Sequence, residues 1–346
     1  MKAVVKYEEK PRATRLMDIG KPVCGEDQVL LKVMAAGVCG SDVDIWNQNI
    51  GFKIKPPVVQ GHEFCGVIVE KGERGKHFQI NDRVVCETAA QICGECVYCR
   101  TGNYNQCPNR CGYGALIDGA FSEYVAVPER ILHHMPDTLS FERASLTEPC
   151  CVAYNAMIVK TQIQPGKPAV IIGPGTIGLL CIIMAKLAGA YPVIAVGRSS
   201  SANRMEIAGQ LGADILIYSD REDPRDAVRK LTGGIGVPVV CDCAGNTSTF
   251  KLSMDIVAPN GQITKVGWGP APIDVSIDPI VQKGASIQGS FSHTWDTWET
   301  VIRLIDAGRI NLEPFSRFIF GIDDWEKAFE AMDSRQAVKS VILPNA

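Results

Sequence analysis

The chain has 346 residues, 46% of them hydrophobic and 21% charged, which is more than one ordinary core holds and fits two globular domains. A formal net charge of −3 excludes the basic footprint that nucleic acid or an anionic membrane surface would require. The longest apolar stretch, around Ile177 to Ala190, is broken by Lys186 and is too short to span a bilayer.

The first residues, MKAVVKYEEKPR, place charges where a secretory leader has its apolar core. Fourteen cysteines behind such a start are expected as thiols in a reducing, cytoplasmic setting. Cys24, Cys65, Cys86, Cys181, Cys241 and Cys243 lie in apolar runs and read as core residues. Up to about residue 150 the chain alternates short strands with Gly- and Pro-containing breaks: KAVVKY, QVLLKVMAAGVC, GVIVEKG, DRVVCE, FSEYVAVP. That rhythm predicts a β-rich domain with long loops.

Within this stretch GVCGSD puts Cys39 in a turn after a strand, and VVQGHEF puts His62 and Glu63 after another. Farther on, LTEPCC sets Glu148 beside a proline at the domain boundary. A thiolate, an imidazole and a carboxylate from separate loops make an open zinc site, with one position left for water or substrate. Taken singly, Cys39 reads equally well as core and Glu63 as a surface charge.

The run CGECVYCRTGNYNQC spaces Cys93, Cys96, Cys99 and Cys107 as C-x2-C-x2-C-x7-C. Four thiolates so close in sequence surround one tetrahedral ion, and a closed four-cysteine site is structural because no coordination position remains.

From about residue 165 the rhythm changes to AVIIG, a helix over Thr176 to Gly189, VIAVG, a helix over Ala202 to Leu211, DILIY, a helix over Arg225 to Leu231, and VVCDCAG. Regular β-α-β alternation predicts a doubly wound parallel sheet, so the fold class is α/β. Gly173, Gly175 and Gly178 form G-x-G-x-x-G between the first strand and its helix, with Thr176 and Ile177 opening that helix. This is a dinucleotide fingerprint in its proper context, with the pyrophosphate expected at the helix N-terminus. At the end of the second strand an NAD site usually carries Asp or Glu. Here Gly197, Arg198 and Ser199 stand instead, with Arg204 in the following helix. Those groups suit a 2′-phosphate, so NADP is the expected cofactor; the alternative is an exposed arginine on a site that also takes NAD. After about residue 290 come two helical patterns, TWETVIRLIDAG and DDWEKAFEAMDS, and a last strand, SVILP.

Taken together, GVCGSD, GHEFCGVI, the four-cysteine lobe, Glu148-Pro149 and GPGTIG resemble the zinc-dependent medium-chain alcohol dehydrogenases over nearly the whole chain. The similarity is greatest to the branch of sorbitol, threonine, galactitol-phosphate and arabitol-phosphate dehydrogenases. The resemblance implies a GroES-like catalytic domain from residues 1–152 and 292–346, with its structural zinc lobe at about 86–112. A Rossmann domain at 153–291 is inserted between them, and the active site is expected in the cleft. It implies two zinc ions per chain, the catalytic one on Cys39 and His62, with Glu148 binding zinc or its water and Glu63 a transient ligand or acidic neighbour. Cys150 and Cys151 are rival ligands.

By the same analogy Ser41 is the first proton acceptor. Relatives often have His where this chain has Asp44, at the outer end of the relay. The Arg-Tyr pair of sorbitol dehydrogenase is replaced by Ser292-His293, and His293, Trp295 and Tyr113 are candidate pocket residues. The expected activity is hydride transfer between NADP(H) and a secondary hydroxyl or ketone of a polyol, sugar or sugar-alcohol phosphate. The competing expectations are an NAD-dependent threonine 3-dehydrogenase and a cofactor-binding protein without turnover. No nucleic-acid or membrane partner is expected. The strand near ASIQGSF is where relatives pair into homodimers, and polyol enzymes often form homotetramers.

Overall fold

The computed structural model describes residues 1–345. Its first part contains strands β1 (Lys2–Lys6), β2 (Thr14–Asp18) and β3 (Gln28–Val38), helix α1 (Gly40–Asn47), and strands β4 (Val58–Val59), β5 (Glu63–Lys71) and β6 (Arg83–Cys86). Helix α2 (Val97–Arg100), strands β7 (Tyr124–Pro128) and β8 (Leu132–His134), and helices α3 (Phe141–Ala144) and α4 (Thr147–Tyr154) follow. Strict alternation then sets in: β9 (Ala169–Ile172), α5 (Thr176–Leu187), β10 (Val193–Gly197), α6 (Ala202–Gln210), β11 (Ile215–Tyr218), α7 (Pro224–Leu231), β12 (Val237–Asp242) and α8 (Thr247–Ile256). It continues through β13 (Val257–Lys265), α9 (Asp278–Lys283) and β14 (Ser286–Gly289). The chain finishes with α10 (Trp295–Asp306), β15 (Phe318–Gly321), α11 (Trp325–Asp333) and β16 (Ser340–Leu343).

Two compact units result, residues 1–148 with 293–346 and residues 149–292. In the first, β3 is the organising strand. Its sequence QVLLKVMAAGV is nearly all apolar because both of its flanks are paired and most of its side chains are buried. The sheet order is β15-β16-β3-β5-β6-β8, with β7 also pairing β3, and a smaller sheet runs β2-β1-β4. The C-terminal strand joins antiparallel, Ser340 opposite Val38 and Ile342 opposite Ala36. Trp46, Phe121, Trp325 and Phe329 fill the core edge to face, with ring centroids 5.4 to 6.1 Å apart.

The second unit is a parallel sheet ordered β11-β10-β9-β12-β13-β14. All four residues of β9 are buried, as expected for a central strand covered on both faces. Strand order reverses at β9 and β12, the switch point at which such sheets bind dinucleotides. Three helix boundaries differ from the sequence reading. The helix predicted over Ala202 to Leu211 ends at Gln210, with Leu211 as its cap. The helix predicted at Arg225 starts at Pro224, because Asp223 accepts from the Arg225 N–H and proline suits the first helical position. The helix predicted to run to Gly189 stops at Leu187, and Gly189 lies past the cap at φ +86°.

Candidate metal centres and cofactor loop

In the lobe carrying α2, the four predicted sulfurs converge. Cys93, Cys96, Cys99 and Cys107 Sγ atoms all lie within 4.8 Å of one another, with Cys93–Cys99 at 3.9 Å, Cys96–Cys99 at 3.5 Å and Cys93–Cys107 at 3.6 Å. Sulfurs bound tetrahedrally at ~2.3 Å from zinc stand ~3.8 Å apart, so the set fits that ion. Backbone N–H groups of Cys96 and Glu95 pull the Cys93 thiol down to about 6. Desolvation and the neighbouring Cys96 push Cys99 up to about 12. A cation among the four sulfurs would bind them as thiolates and release their protons. The lobe is also anchored by a network that sequence reasoning missed. Tyr104 donates to Glu87 at 2.7 Å, Glu87 meets His133 Nε2 at 3.1 Å, and His133 Nδ1 meets Glu299 at 2.6 Å.

A second set forms at the end of β3 and the start of β5. One ligand atom each from Cys39, His62 and Glu63 falls within 4.8 Å of the others. Cys39 is the N-cap of α1, where its backbone N–H donates to Asp42 Oδ2 at 2.9 Å. The other oxygen of fully buried Asp42 faces His62 Nδ1 at 3.5 Å and has no hydrogen-bond partner of its own. A proton on Nδ1 answers that oxygen and leaves Nε2 free for a metal, the usual arrangement for a ligating histidine. Glu63 is buried against the equally buried Lys339. Burial raises the carboxyl and the lysine opposes that rise. The donor set, a soft thiolate with an imidazole and a carboxylate, fits zinc.

Glu148 lies in the same charged neighbourhood but outside that tight set. Its Oε1 meets His293 Nε2 at 3.0 Å, and Trp298 Nε1 donates to His293 Nδ1 at 2.7 Å. Because Nδ1 accepts, Nε2 carries the proton and donates to the carboxylate. Burial alone would raise the Glu148 carboxyl; His293 outweighs it and holds the group low.

The glycine loop follows β9. Gly173 has φ +97°, which a side chain rarely adopts, and a Cβ on Gly178 would stand 1.9 Å from Gly173 O. Gly175 caps α5 and has nothing within 4 Å of where its Cβ would be, leaving room for a pyrophosphate. Thr176 and Ile177 open α5 and are half-buried. At the end of β10, Arg198 is exposed and Arg204 half-buried. Ser199 donates from its N–H to Asp220 at 2.8 Å, and Arg221 Nε donates to Ser199 Oγ at 2.7 Å. Gly197 has a packing reason beside the cofactor one: a Cβ there would meet Met205 Sδ at 2.5 Å.

Residues 25–137 match the alcohol dehydrogenase GroES-like domain, and residues 176–307 match the zinc-binding dehydrogenase domain. The sorbitol dehydrogenase of Halalkalibacterium halodurans is 36% identical over 345 residues, 99% of each chain. The chain belongs to the zinc-dependent medium-chain dehydrogenases. The L-threonine 3-dehydrogenase of Bacillus velezensis is 35% identical over 348 aligned residues, again 99% of each. A protein of Sinorhizobium meliloti 1021 crystallised with NADP superposes with a TM-score of 0.90 at 28% identity, covering 99% of both chains. This medium-chain dehydrogenase is therefore a zinc-type alcohol or polyol oxidoreductase with a GroES-like and a Rossmann-like domain.

Within the dehydrogenase, the other residues singled out from sequence are dispersed. Ser41 is half-buried two residues after Cys39, whereas Asp44 is exposed. Partial desolvation by the surrounding protein and then the nearby Asp333 raise the Asp44 carboxyl all the same. Tyr113 is a core residue packed on Phe64 at 5.4 Å, and His293 is 2% exposed beneath Glu148, while Trp295 is 49% exposed. Cys150 and Cys151 are fully buried and lie outside the metal-ligand sets found among the described residues. Asp42 and Lys339 went unread: one lay within a motif whose serine drew attention, and the other resembles a surface lysine in QAVKSVIL.

Proposed function

We propose that this dehydrogenase interconverts a secondary hydroxyl and a ketone on a polyol, sugar or sugar-alcohol phosphate, with NADP(H) as the preferred dinucleotide. The observation that carries the cofactor assignment is the end of β10. Arg198 is exposed there, and Arg221 is tied to Ser199 beside it. These two guanidinium groups flank one carboxylate, Asp220, so the local balance is +2 − 1 = +1. Positive charge and guanidinium geometry favour a 2′-phosphate. The relative crystallised with NADP supports this reading, and the sorbitol dehydrogenase supports the polyol class.

Cys39 and His62, with Glu63 or Glu148, would hold the catalytic zinc, and the four-cysteine lobe a structural one. The catalytic ion supplies Lewis acidity toward a substrate hydroxyl, and the dinucleotide supplies the hydride chemistry. Asp42 orients the imidazole of His62. Ser41 accepts the proton that the substrate hydroxyl gives up, and Asp44, one helical turn along α1, receives it at the exposed surface. Lys339 balances the charge of Glu63 inside the protein, and His293 keeps Glu148 in place.

The assembly we propose is a homodimer through β14, an edge strand with apolar exposure at its own Ile287 and at Ile277 and Val281 just before it in the chain; a homotetramer would build on that pair. No helix among the described residues is long and apolar enough to cross a membrane. The location we propose is cytoplasmic, resting on the reading of the fourteen cysteines as thiols of a reducing compartment.

A second reading, a threonine 3-dehydrogenase using NAD, is favoured by the Bacillus velezensis relative and by Asp220, a carboxylate able to accept ribose hydroxyls. The deciding experiment measures initial rates of the zinc-loaded protein on pentitols, hexitols, their phosphates and L-threonine, with NADP+ and NAD+ in parallel. Turnover of one polyol class with NADP+, and a KM for NADP+ that rises at least roughly tenfold in Arg198→Ala while that for NAD+ holds, supports the proposal. Firm NAD+ preference with threonine as the best substrate overturns it.

A further inference from the structure

The unit of residues 149–292 holds a third group of metal-ligating side chains, made of residues that belong to neither set assigned to zinc. Cys181 lies in the buried middle of α5, Cys241 near the end of β12, and Cys243 just beyond that strand. Their Sγ atoms all lie within 4.8 Å of one another, and those of Cys241 and Cys243 are 3.6 Å apart. Three sulfurs bound at ~2.3 Å in a trigonal plane stand ~4 Å apart. The 3.6 Å separation and the 4.8 Å upper limit on the others are compatible with that value. Packing alone accounts for a buried cysteine, but it does not turn three thiols from two elements toward one point.

The composition of the set narrows the ligand. Asp242 lies between Cys241 and Cys243 in sequence but is engaged elsewhere. Its Oδ1 accepts from the N–H groups of Ala244 at 3.1 Å and Gly245 at 3.0 Å, and its Oδ2 faces Lys265 Nζ at 3.4 Å. No imidazole or carboxylate joins the sulfurs in the cluster found among the described residues. A closed structural zinc site would lack its fourth protein ligand. Soft ligands in low number select a soft ion such as Cu(I). Cys181 and Cys241 are fully buried and Cys243 is half-buried, so an ion enters past Cys243. Hydrogen bonding within the group and its burial leave all three thiols well above the ordinary range. Without an ion they stay protonated and unreactive.

We propose that Cys181, Cys241 and Cys243 form a binding site for a soft monovalent metal ion of the Cu(I) type, separate from the zinc centres. The ion binds without change of oxidation state, and protons of the thiols that ligate as thiolates pass to the buffer. The site sits beneath the cofactor loop: Cys243 N–H donates to Ile172 O at 2.9 Å, and a Cβ on Gly178 would lie 3.5 Å from Cys243 Cβ.

The test is an anaerobic titration of the full-length, zinc-loaded protein with Cu(I) buffered by a bathocuproine chelator, with released zinc measured in the same samples. The expected result is uptake of one Cu(I) per chain without zinc release, a copper-edge X-ray absorption spectrum with a three-sulfur shell, and loss of that uptake in Cys241→Ala/Cys243→Ala. No uptake, uptake matched by zinc release, or uptake unchanged in the double variant overturns the site. Where the double variant fails to fold, half-buried Cys243→Ser alone decides. A fall in Cu(I) affinity of at least roughly a hundredfold supports the site, and an unchanged affinity removes it.

Discussion

Asp42 serves three neighbours from a position with no solvent exposure. One oxygen accepts from the Cys39 N–H, the other faces His62 Nδ1, and its backbone carbonyl accepts from Gln60 Nε2 at 3.1 Å. The substitution Asp42→Asn keeps the volume but removes the charge that holds the His62 proton on Nδ1. Zinc affinity at the catalytic centre is expected to fall about 10- to 100-fold, read by competition with a chromophoric chelator. An unchanged affinity would mean that His62 is oriented by packing alone. Gly178 makes a different demand. The added methyl of Gly178→Ala would stand 1.9 Å from Gly173 O, so the loop that receives the pyrophosphate must open. The expected outcome is a dinucleotide KM at least roughly tenfold higher, a loss of about 1.4 kcal/mol, with zinc content unaltered.

At the scale of elements, legibility in the sequence follows locality. The four-cysteine lobe and the glycine loop are each built within about 15 residues, so spacing alone brings their groups together. The strand–helix alternation from β9 to β12 is legible because central parallel strands are continuous apolar runs. The pairing of β16 with β3 is not, since it joins residues about 300 positions apart with no local signal. Long sequence separation likewise hides the contact of Lys339 with Glu63, and that of His293 with Glu148, 145 positions apart.

Glu129, between β7 and β8, was equally invisible. Its carboxylate accepts from the backbone N–H groups of Lys76 at 2.9 Å, His77 at 2.8 Å and Phe78 at 3.0 Å. Burial would raise this carboxyl, but the three donors outweigh it and hold it below the ordinary value. A carboxyl lowered by folding stabilises the protein fully above its unfolded pKa, and that contribution is lost as pH falls through the folded value. Glu129→Gln is therefore expected to melt below the wild type near pH 7. The gap in Tm should close as pH drops below about 4. A gap independent of pH would show that shape rather than charge holds the loop.

Across the whole molecule, each unit has its own core. That of residues 1–148 and 293–346 is closed by α11, whose Phe329 is fully buried between Trp46, Phe121 and Trp325. The core of residues 149–292 is built from β9 to β13 with Phe250 and Met254 of α8, and it shares no residue with the first. A cavity opened in a core removes contacts from the residues that line it. The substitution Phe329→Ala is expected to cost about 3–5 kcal/mol, because the rings around it form a close-packed aromatic set. Hydrogen exchange followed by mass spectrometry should show the loss as faster exchange in β3, β5, β16 and α11, with protection in β9, β10 and β12 unchanged. Faster exchange in all of these strands together would mean that the two units unfold as one cooperative body.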